Sequence, residues 1–142
     1  MFKKLLLAVD INDPEGTLAC AEAAVGMARH EAATLHIMNV VPDQGMAIVG
    51  ASLAPDHNET VEAVATKGLE AWVQSHIPDD VSSVLHIARG TIYDQIIHTA
   101  DRLGVDCIIV GAHSPTLKDY LIGPNAARVA RHASQSVFVV RQ

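Results

Sequence analysis

The sequence has little with which to staple itself. Its only cysteines are Cys20 and Cys107, far apart and with no second cysteine near either. That count rules out a disulfide framework. Cys20, in a helical pattern, and Cys107, in an apolar strand, read as small buried hydrophobes. Aromatic residues make up only 4% of the chain. Its 49% hydrophobic content is therefore carried by Ala, Val, Ile and Leu, a mixture that suits helices packed on a buried sheet better than a sandwich. Positive charge is scarce too: ten Lys plus Arg against sixteen Asp plus Glu leave a net charge of -6, with no basic run of five. Nucleic acid is a poor partner for such a surface. No apolar stretch approaches eighteen residues, and Met1 to Lys4 lead straight into Leu5–Val9 without a long h-region or cleavage site. The expectation is no membrane span and a cytoplasmic location.

Catalytic and metal signatures are missing as well. None of the eight histidines forms an H-x-H, H-x-x-x-H or Cys-flanked pair, so no metal site is expected. There is no G-x-S-x-G elbow, no Walker A Gly-Lys-Ser/Thr, no H-E-x-x-H, and no nucleophile with a base beside it. Efficient catalysis is not expected, and no catalytic residue is assigned.

What is present is an alternation of strands and helices over all 142 residues, which predicts one domain. Lys3 to Val9 reads as a strand, followed by a turn in which Asp13 caps a helix and Pro14 takes its first position. That helix has an apolar stripe of Leu18, Ala21, Val25 and Ala28, with Glu22, Arg29 and Glu31 on the solvent side. Thr34 to Val41 is a second strand. Thr60 to Gln74 is a second helix with Val61, Val64, Ala65, Gly68 and Trp72 on one face, and Ser82 to Ala88 is a third strand. Thr91 and Asp94 resemble a capping box for a third helix with the stripe Ile92, Ile96, Ala100 and Leu103. Asp106 to Val110 is a fourth strand. A fourth helix starts near Pro124 with Ala126, Val129, Ala130 and Ala133 inward and Arg128, Arg131 and His132 outward. Ser136 to Val140 closes as a fifth strand.

Such alternation predicts parallel β-α-β units in a doubly wound open α/β sheet with helices on both faces. The continuously apolar runs Leu5–Val9 and Cys107–Val110 suit neighbouring central strands, while Val84–Ile87 suits an edge. Ligands in such sheets bind beyond the carboxyl ends of the strands, where the strand order reverses. Asp10 leaves the first strand there. The run Gly111-Ala112-His113-Ser114-Pro115 leaves the fourth and closes at Gly123-Pro124-Asn125. Gly111 would let a ligand approach the backbone, and Gly123 precedes a helix whose N-terminal N–H groups favour an anion. Lys118 and Asp119 read as a solvated loop tip. Residues 42 to 58 form a long apolar connection with Met46, Ile48, Val49 and Leu53, expected either to enter an interface or to fold over a ligand.

These residues resemble the universal stress proteins. The likeness runs from Leu5-Leu6-Leu7-Ala8-Val9-Asp10 to Ser136-Val137-Phe138-Val139-Val140-Arg141 and includes Gly90 after the third strand. Its most specific part is Val110-Gly111-Ala112-His113 followed by Tyr120-Leu121-Ile122-Gly123-Pro124-Asn125-Ala126-Ala127-Arg128-Val129-Ala130-Arg131-His132-Ala133, similar to the glycine loop and helix of a short-loop bacterial subgroup. The resemblance implies a five-stranded parallel sheet of the adenine-nucleotide alpha-hydrolase-like kind and a homodimer joined through the C-terminal strand, with a tetramer open. In some branches it also implies ATP, with Mg²⁺, in the crevice. By position, Ala8, Val9 and Asp10 would meet adenosine, and Val40 would offer backbone contacts to adenine. Val110, Gly111 and His113 would line ribose and phosphates, while Gly123, Asn125 and Ala126 would present N–H groups to phosphate.

Two positions depart from the ATP-binding pattern: Ser114 stands where it has glycine, and Pro124 where it has serine or threonine. Proline removes both an N–H and a hydroxyl from the phosphate end, so weakened or altered nucleotide binding is expected. The leading functional expectation is a stress-response protein that binds an adenine nucleotide and acts as a sensor or regulatory partner. The alternatives are a dimeric interaction module without nucleotide, and slow ATP hydrolysis involving His113.

Overall fold

Leu5, Leu6 and Leu7 are each fully buried, so the strand that carries them is covered on both faces. In the computed structural model this strand, β1 (Lys4–Ala8), is the middle of a five-stranded sheet. The structure describes residues 1–42, 56–112 and 123–141, with backbone alone at residues 14 and 56–59. Around β1 the chain runs through α1 (Pro14–Glu31), β2 (Thr34–Val41), α2 (Asp56–His76), β3 (Ser83–Arg89), α3 (Ile92–Leu103), β4 (Cys107–Gly111), α4 (Pro124–His132) and β5 (Ser136–Val140). The strand order is β3-β2-β1-β4-β5, with every pair parallel. Leu7 pairs with Ile37 on one side and Ile109 on the other. The doubly wound sheet, the central pair β1 and β4, and the edge position of β3 all agree with the sequence reading.

Two cores follow from the strand alternation, because successive side chains face opposite ways. Leu5, Leu7, Leu35 and Ile37 pack with Ala21, Ala24 and Val25 of α1 and with Leu69 and Trp72 of α2. Leu6, Met38, Ile108 and Val110 pack with Ile96 and Ala100 of α3 and with Ala126 and Val129 of α4. The helices therefore form one layer on each side of the sheet. In the first core α1 contributes small alanines and α2 the large Trp72.

Periodicity misplaces single residues at the stripe borders. Leu18 is 45% exposed and Val64 66%, Ala130 also faces outward, and Ile92 is partly exposed rather than in the core. The buried rows are Thr17, Cys20, Ala21 and Ala24 in α1, and Ala65, Leu69 and Trp72 in α2. Glu31 is not a plain solvent residue: its carboxylate accepts from the Met1 amino group at 2.7 Å and the Phe2 N–H at 3.1 Å. Thr91 is the N-cap of α3, but its side chain makes no capping hydrogen bond, so the capping box does not form. Helix α2 starts at Asp56 rather than Thr60. The apolar residues Met46, Ile48, Val49 and Leu53 lie outside the described residues, as do Lys118 and Asp119.

The α1 stop departs from the usual chemistry. Ala32 takes φ 52°, and its N–H donates to the carbonyls of Ala28 and Arg29. A side chain in this left-handed region is strained, whereas glycine is not. Ala32→Gly is expected to stabilise the protein by about 0.5–1 kcal/mol, after allowing for the greater freedom of glycine in the unfolded chain. An unchanged or lowered urea midpoint would contradict this.

A histidine pair ties edge strand β3 to β2. His36 Nδ1 lies 2.9 Å from His86 Nε2, with ring centroids 5.1 Å apart. One ring must donate and the other accept, so a second proton turns the acceptor into a donor and breaks the bond. Burial lowers both rings below the ordinary histidine range. The cations Lys4 and Arg102 add to this at His36, and His36 and Arg102 add to it at His86. Folded values below the unfolded ones mean that the stabilisation is complete above the ordinary histidine range and is lost as pH falls below it. The melting temperature is expected to drop between pH 7 and pH 5. His86→Leu should flatten that slope, and an equal slope in the variant would count against the pair as its source.

Candidate functional site

From β1 the chain builds outward through β2 to β3, and beyond β4 it builds the opposite way to β5. The carboxyl ends of β1 and β4 therefore part at the reversal point, and a cleft of about 280 Å³ opens there. Ala8, Val9 and Asp10 form one lip. The end of β2 supplies Met38, Asn39 and Val40, held to β1 by the Val9 N–H donating to the Met38 carbonyl at 3.0 Å. Asn39 is 7% exposed and is a polar residue in an otherwise apolar strand end.

The mouth is shaped by the turn entering α1. Asp10 accepts the Asn12 N–H on its carboxylate at 2.9 Å, and its carbonyl accepts the Asp13 N–H at 3.0 Å. Asp13 caps α1 through the Gly16 N–H at 3.1 Å, as its sequence predicts. A Cβ at position 16 would overlap the Asp13 carboxylate where it stands, so a side chain there would make the cap shift. Deeper in lie Thr17 and Cys20. The Thr17 hydroxyl accepts from Trp72 Nε1 at 3.1 Å, which ties the cleft floor to α2. Burial raises the Cys20 thiol, keeping it protonated and unsuited to redox chemistry.

The opposite wall comes from Val110 and Gly111 of β4, Ile92 and Ile96 of α3, and Asn125 and Ala126 of α4. Gly111 packs closely against α1: a Cβ there would stand 3.0 Å from Cys20 Sγ, which would have to give way. The α4 N-terminus faces this wall with fewer donors than its sequence suggests. The Gly123 N–H already donates to the Ala112 carbonyl at 3.2 Å, and Pro124 has none. The first intrahelical bond is made by Ala127 N–H to the Gly123 carbonyl. Asn125 and Ala126 are left with the helix-end N–H groups.

Of the ten residues singled out from sequence, Ala8, Val9, Asp10, Val40, Val110, Gly111, Asn125 and Ala126 line this one cleft. Gly123 lies behind the lining with its N–H engaged, because the chain must turn back onto the end of β4 before α4 begins. His113 and Ser114 lie outside the described residues. Sequence reasoning passed over Asn12, Thr17 and Asn39. The lone asparagine in the strand run Thr34–Val41 was the readable sign, since a polar residue in a buried strand needs a partner. Among the described residues the lining holds the carboxylates Asp10 and Asp13 and no lysine, arginine or histidine. No cluster of three metal-ligating side chains occurs among the described residues. No described helix is long and apolar enough to cross a membrane.

The arrangement has known counterparts. Universal stress protein G of Shigella flexneri is 28% identical, over 99% of this chain and 100% of its own length. The solved structure of universal stress protein UspA from Lactobacillus plantarum superposes with a TM-score of 0.75 at 22% identity, covering 98% of this chain and 97% of that one. Two further structures share the fold at a TM-score of 0.65. One is a universal stress protein in complex with cAMP, 18% identical over 99% of this chain and 97% of its own. The other is the Archaeoglobus fulgidus universal stress protein in complex with dAMP, 15% identical over 98% of each chain. A model of the universal stress protein family matches residues 1–141, and the chain belongs to that family.

Proposed function

We propose that this chain binds an adenine nucleotide in the cleft between β1 and β4 and works as a regulatory protein of the stress response rather than as a turnover enzyme. The observation that carries this reading is the convergence of eight residues from four separate segments on one cleft at the reversal point of the sheet. Two structural relatives solved with cAMP and dAMP support it. In this reading Val9, Asp10 and Asn39 meet base and ribose, Val40 offers its backbone to adenine, and the N–H groups of Asn125 and Ala126 meet phosphate. Carboxylates are suited to accept from sugar hydroxyls, as in dinucleotide folds. Apolar Val110 and Ile96 line the wall opposite Asp10.

The test is calorimetric titration of nucleotide-stripped protein with AMP, ATP and GTP. Saturable binding of an adenine nucleotide, stronger than that of GTP, supports the reading. No heat at millimolar ligand overturns it.

A second reading is a dimeric interaction module that acts through its surface without nucleotide. Two observations favour it: Pro124 weakens the phosphate end, and the edge strand β5 leaves Phe138 46% exposed. An apolar edge strand at the end of a sheet invites pairing with a second copy. A stable dimer that neither co-purifies with nor takes up nucleotide would favour this account. Both readings include a cytoplasmic homodimer through β5, testable by sedimentation of the wild type and of a Phe138→Lys variant.

A further inference from the structure

Away from the cleft, toward the amino ends of the strands, basic side chains gather on the α3 side of the sheet. The strand register puts them there. Met38 packs in the core with α3 and pairs across the strands with His86, while Leu6 packs in the same core and pairs with His36. His36 and His86 therefore share that face, and Lys4, two residues before Leu6, shares it too. The Lys4 ammonium donates to the Leu103 carbonyl at 3.3 Å, which brings it to the last turn of α3, where Arg102 stands. Both cations are felt at the rings. After burial, Lys4 and Arg102 oppose the charging of His36, and His36 and Arg102 oppose that of His86. The neighbouring acids are engaged elsewhere: Asp101 accepts from Gln135 Nε2 at 2.8 Å, and Asp106 accepts the Lys3 and Lys4 N–H groups at 2.7 and 2.9 Å, offsetting part of the Lys4 charge. His98 lies one turn before Arg102 on α3. Cations gathered in this way repel one another until an anion answers them.

The histidine pair can supply that anion with hydrogen bonds. The bond between the rings uses His36 Nδ1 and His86 Nε2, so His36 Nε2 and His86 Nδ1 lie outside it. In the neutral pair one of these outer nitrogens carries a hydrogen. A proton added to the other leaves the bond between the rings in place and provides a second outward donor. We propose that Lys4, His36, His86 and Arg102 form a binding site for a phosphate group, as the free ion or a small monoester, separate from the cleft. The two cations attract the anion, and the paired rings orient it through charge-assisted hydrogen bonds. Because a bound anion favours the charged form of a ring, binding takes up a proton and tightens as pH falls through the range in which the rings charge.

The experiment follows the histidine ring signals of the full chain by NMR during titration with inorganic phosphate, glycerol phosphate and sulfate, at an ionic strength held constant with chloride. Saturable shifts are expected at His36 and His86, with their midpoints of titration raised by about half a unit or more. Sulfate, whose own charge stays fixed over this range, should also bind more tightly at the lower pH. Binding of inorganic phosphate without glycerol phosphate identifies the free ion, and binding of both identifies the phosphate group whatever carries it. Arg102→Gln, a change at an exposed position, is expected to weaken phosphate about tenfold, the equivalent of one charged hydrogen bond. Equal shifts with chloride alone, or ring titrations that phosphate leaves unmoved, overturn the proposal. So does phosphate binding that is unchanged in Arg102→Gln and moves the amides of Asn125 and Ala126 instead, since that places the anion in the cleft.

Discussion

Replacing Trp72 with alanine is expected to destabilise the protein by about 3–5 kcal/mol, a large part of the roughly 5–15 kcal/mol by which a domain of this kind is stable. Trp72 is 6% exposed and lies in the core between the sheet and α2, and its ring stacks on His76 with centroids 4.9 Å apart. In a core built from alanine, valine and leucine, no other described side chain matches its volume, so its removal leaves a cavity that small neighbours cannot close. Its Nε1 also donates to Thr17 Oγ1 at 3.1 Å, and Thr17 is 5% exposed in the cleft floor. The effect should therefore reach the cleft. Trp72→Phe keeps most of the packing and is expected to lose about 1–2 kcal/mol, mainly the hydrogen bond and the smaller ring. Urea unfolding of both variants checks the two values. A loss below about 1 kcal/mol for the alanine variant would mean that α2 contributes little to the fold.

The layout of the fold was legible because its cause is local. Continuous apolar strands must be covered twice, and the two most uniform of them, around Leu6 and Ile108, do sit side by side at the centre of the sheet. Strand bounds came within a residue or so, and Thr34–Val41 and Ser136–Val140 matched. The stripe borders failed at Leu18, Val64, Ile92 and Ala130 because period 3.6 fixes which residues share a face but not how far the neighbouring layer extends over it. Val64 is exposed, and Ala65 and Leu69 take the buried row instead. The Asp13 cap was readable because Pro14 and the local turn determine it. The failed box at Thr91 shows that spacing alone does not orient a hydroxyl.

The cleft was legible at its lips and not at its floor. Residues at strand ends, such as Asp10 and Gly111, are marked by their place in the sequence. Asn39 and Thr17 belong to the site only because β2 and α1 are brought against β1 by pairings between distant residues. The engaged N–H of Gly123 was equally hidden, since it depends on the chain returning to Ala112 before α4 starts.

The second large effect concerns binding. Asn39→Leu is expected to leave the protein folded at a cost of about 1–3 kcal/mol, the cost of leaving a buried partner group unpaired. Adenine-nucleotide affinity should fall about ten- to a hundredfold, because a site that hydrogen-bonds its ligand loses heavily when the buried partner is removed. Denaturant titration and calorimetry on the same preparation separate the two effects. Unchanged affinity would place the ligand away from the end of β2.

The central claim is that the cleft between β1 and β4 holds an adenine nucleotide, and its most direct test is the titration of ¹⁵N-labelled protein with AMP, followed through backbone amide shifts. The account predicts saturable shifts concentrated at Val9, Asp10, Asn39, Gly111, Asn125 and Ala126, with β3 and the outer face of α2 unmoved. Shifts that never saturate, or that cluster on the β5 edge while these six amides stay still, would contradict it.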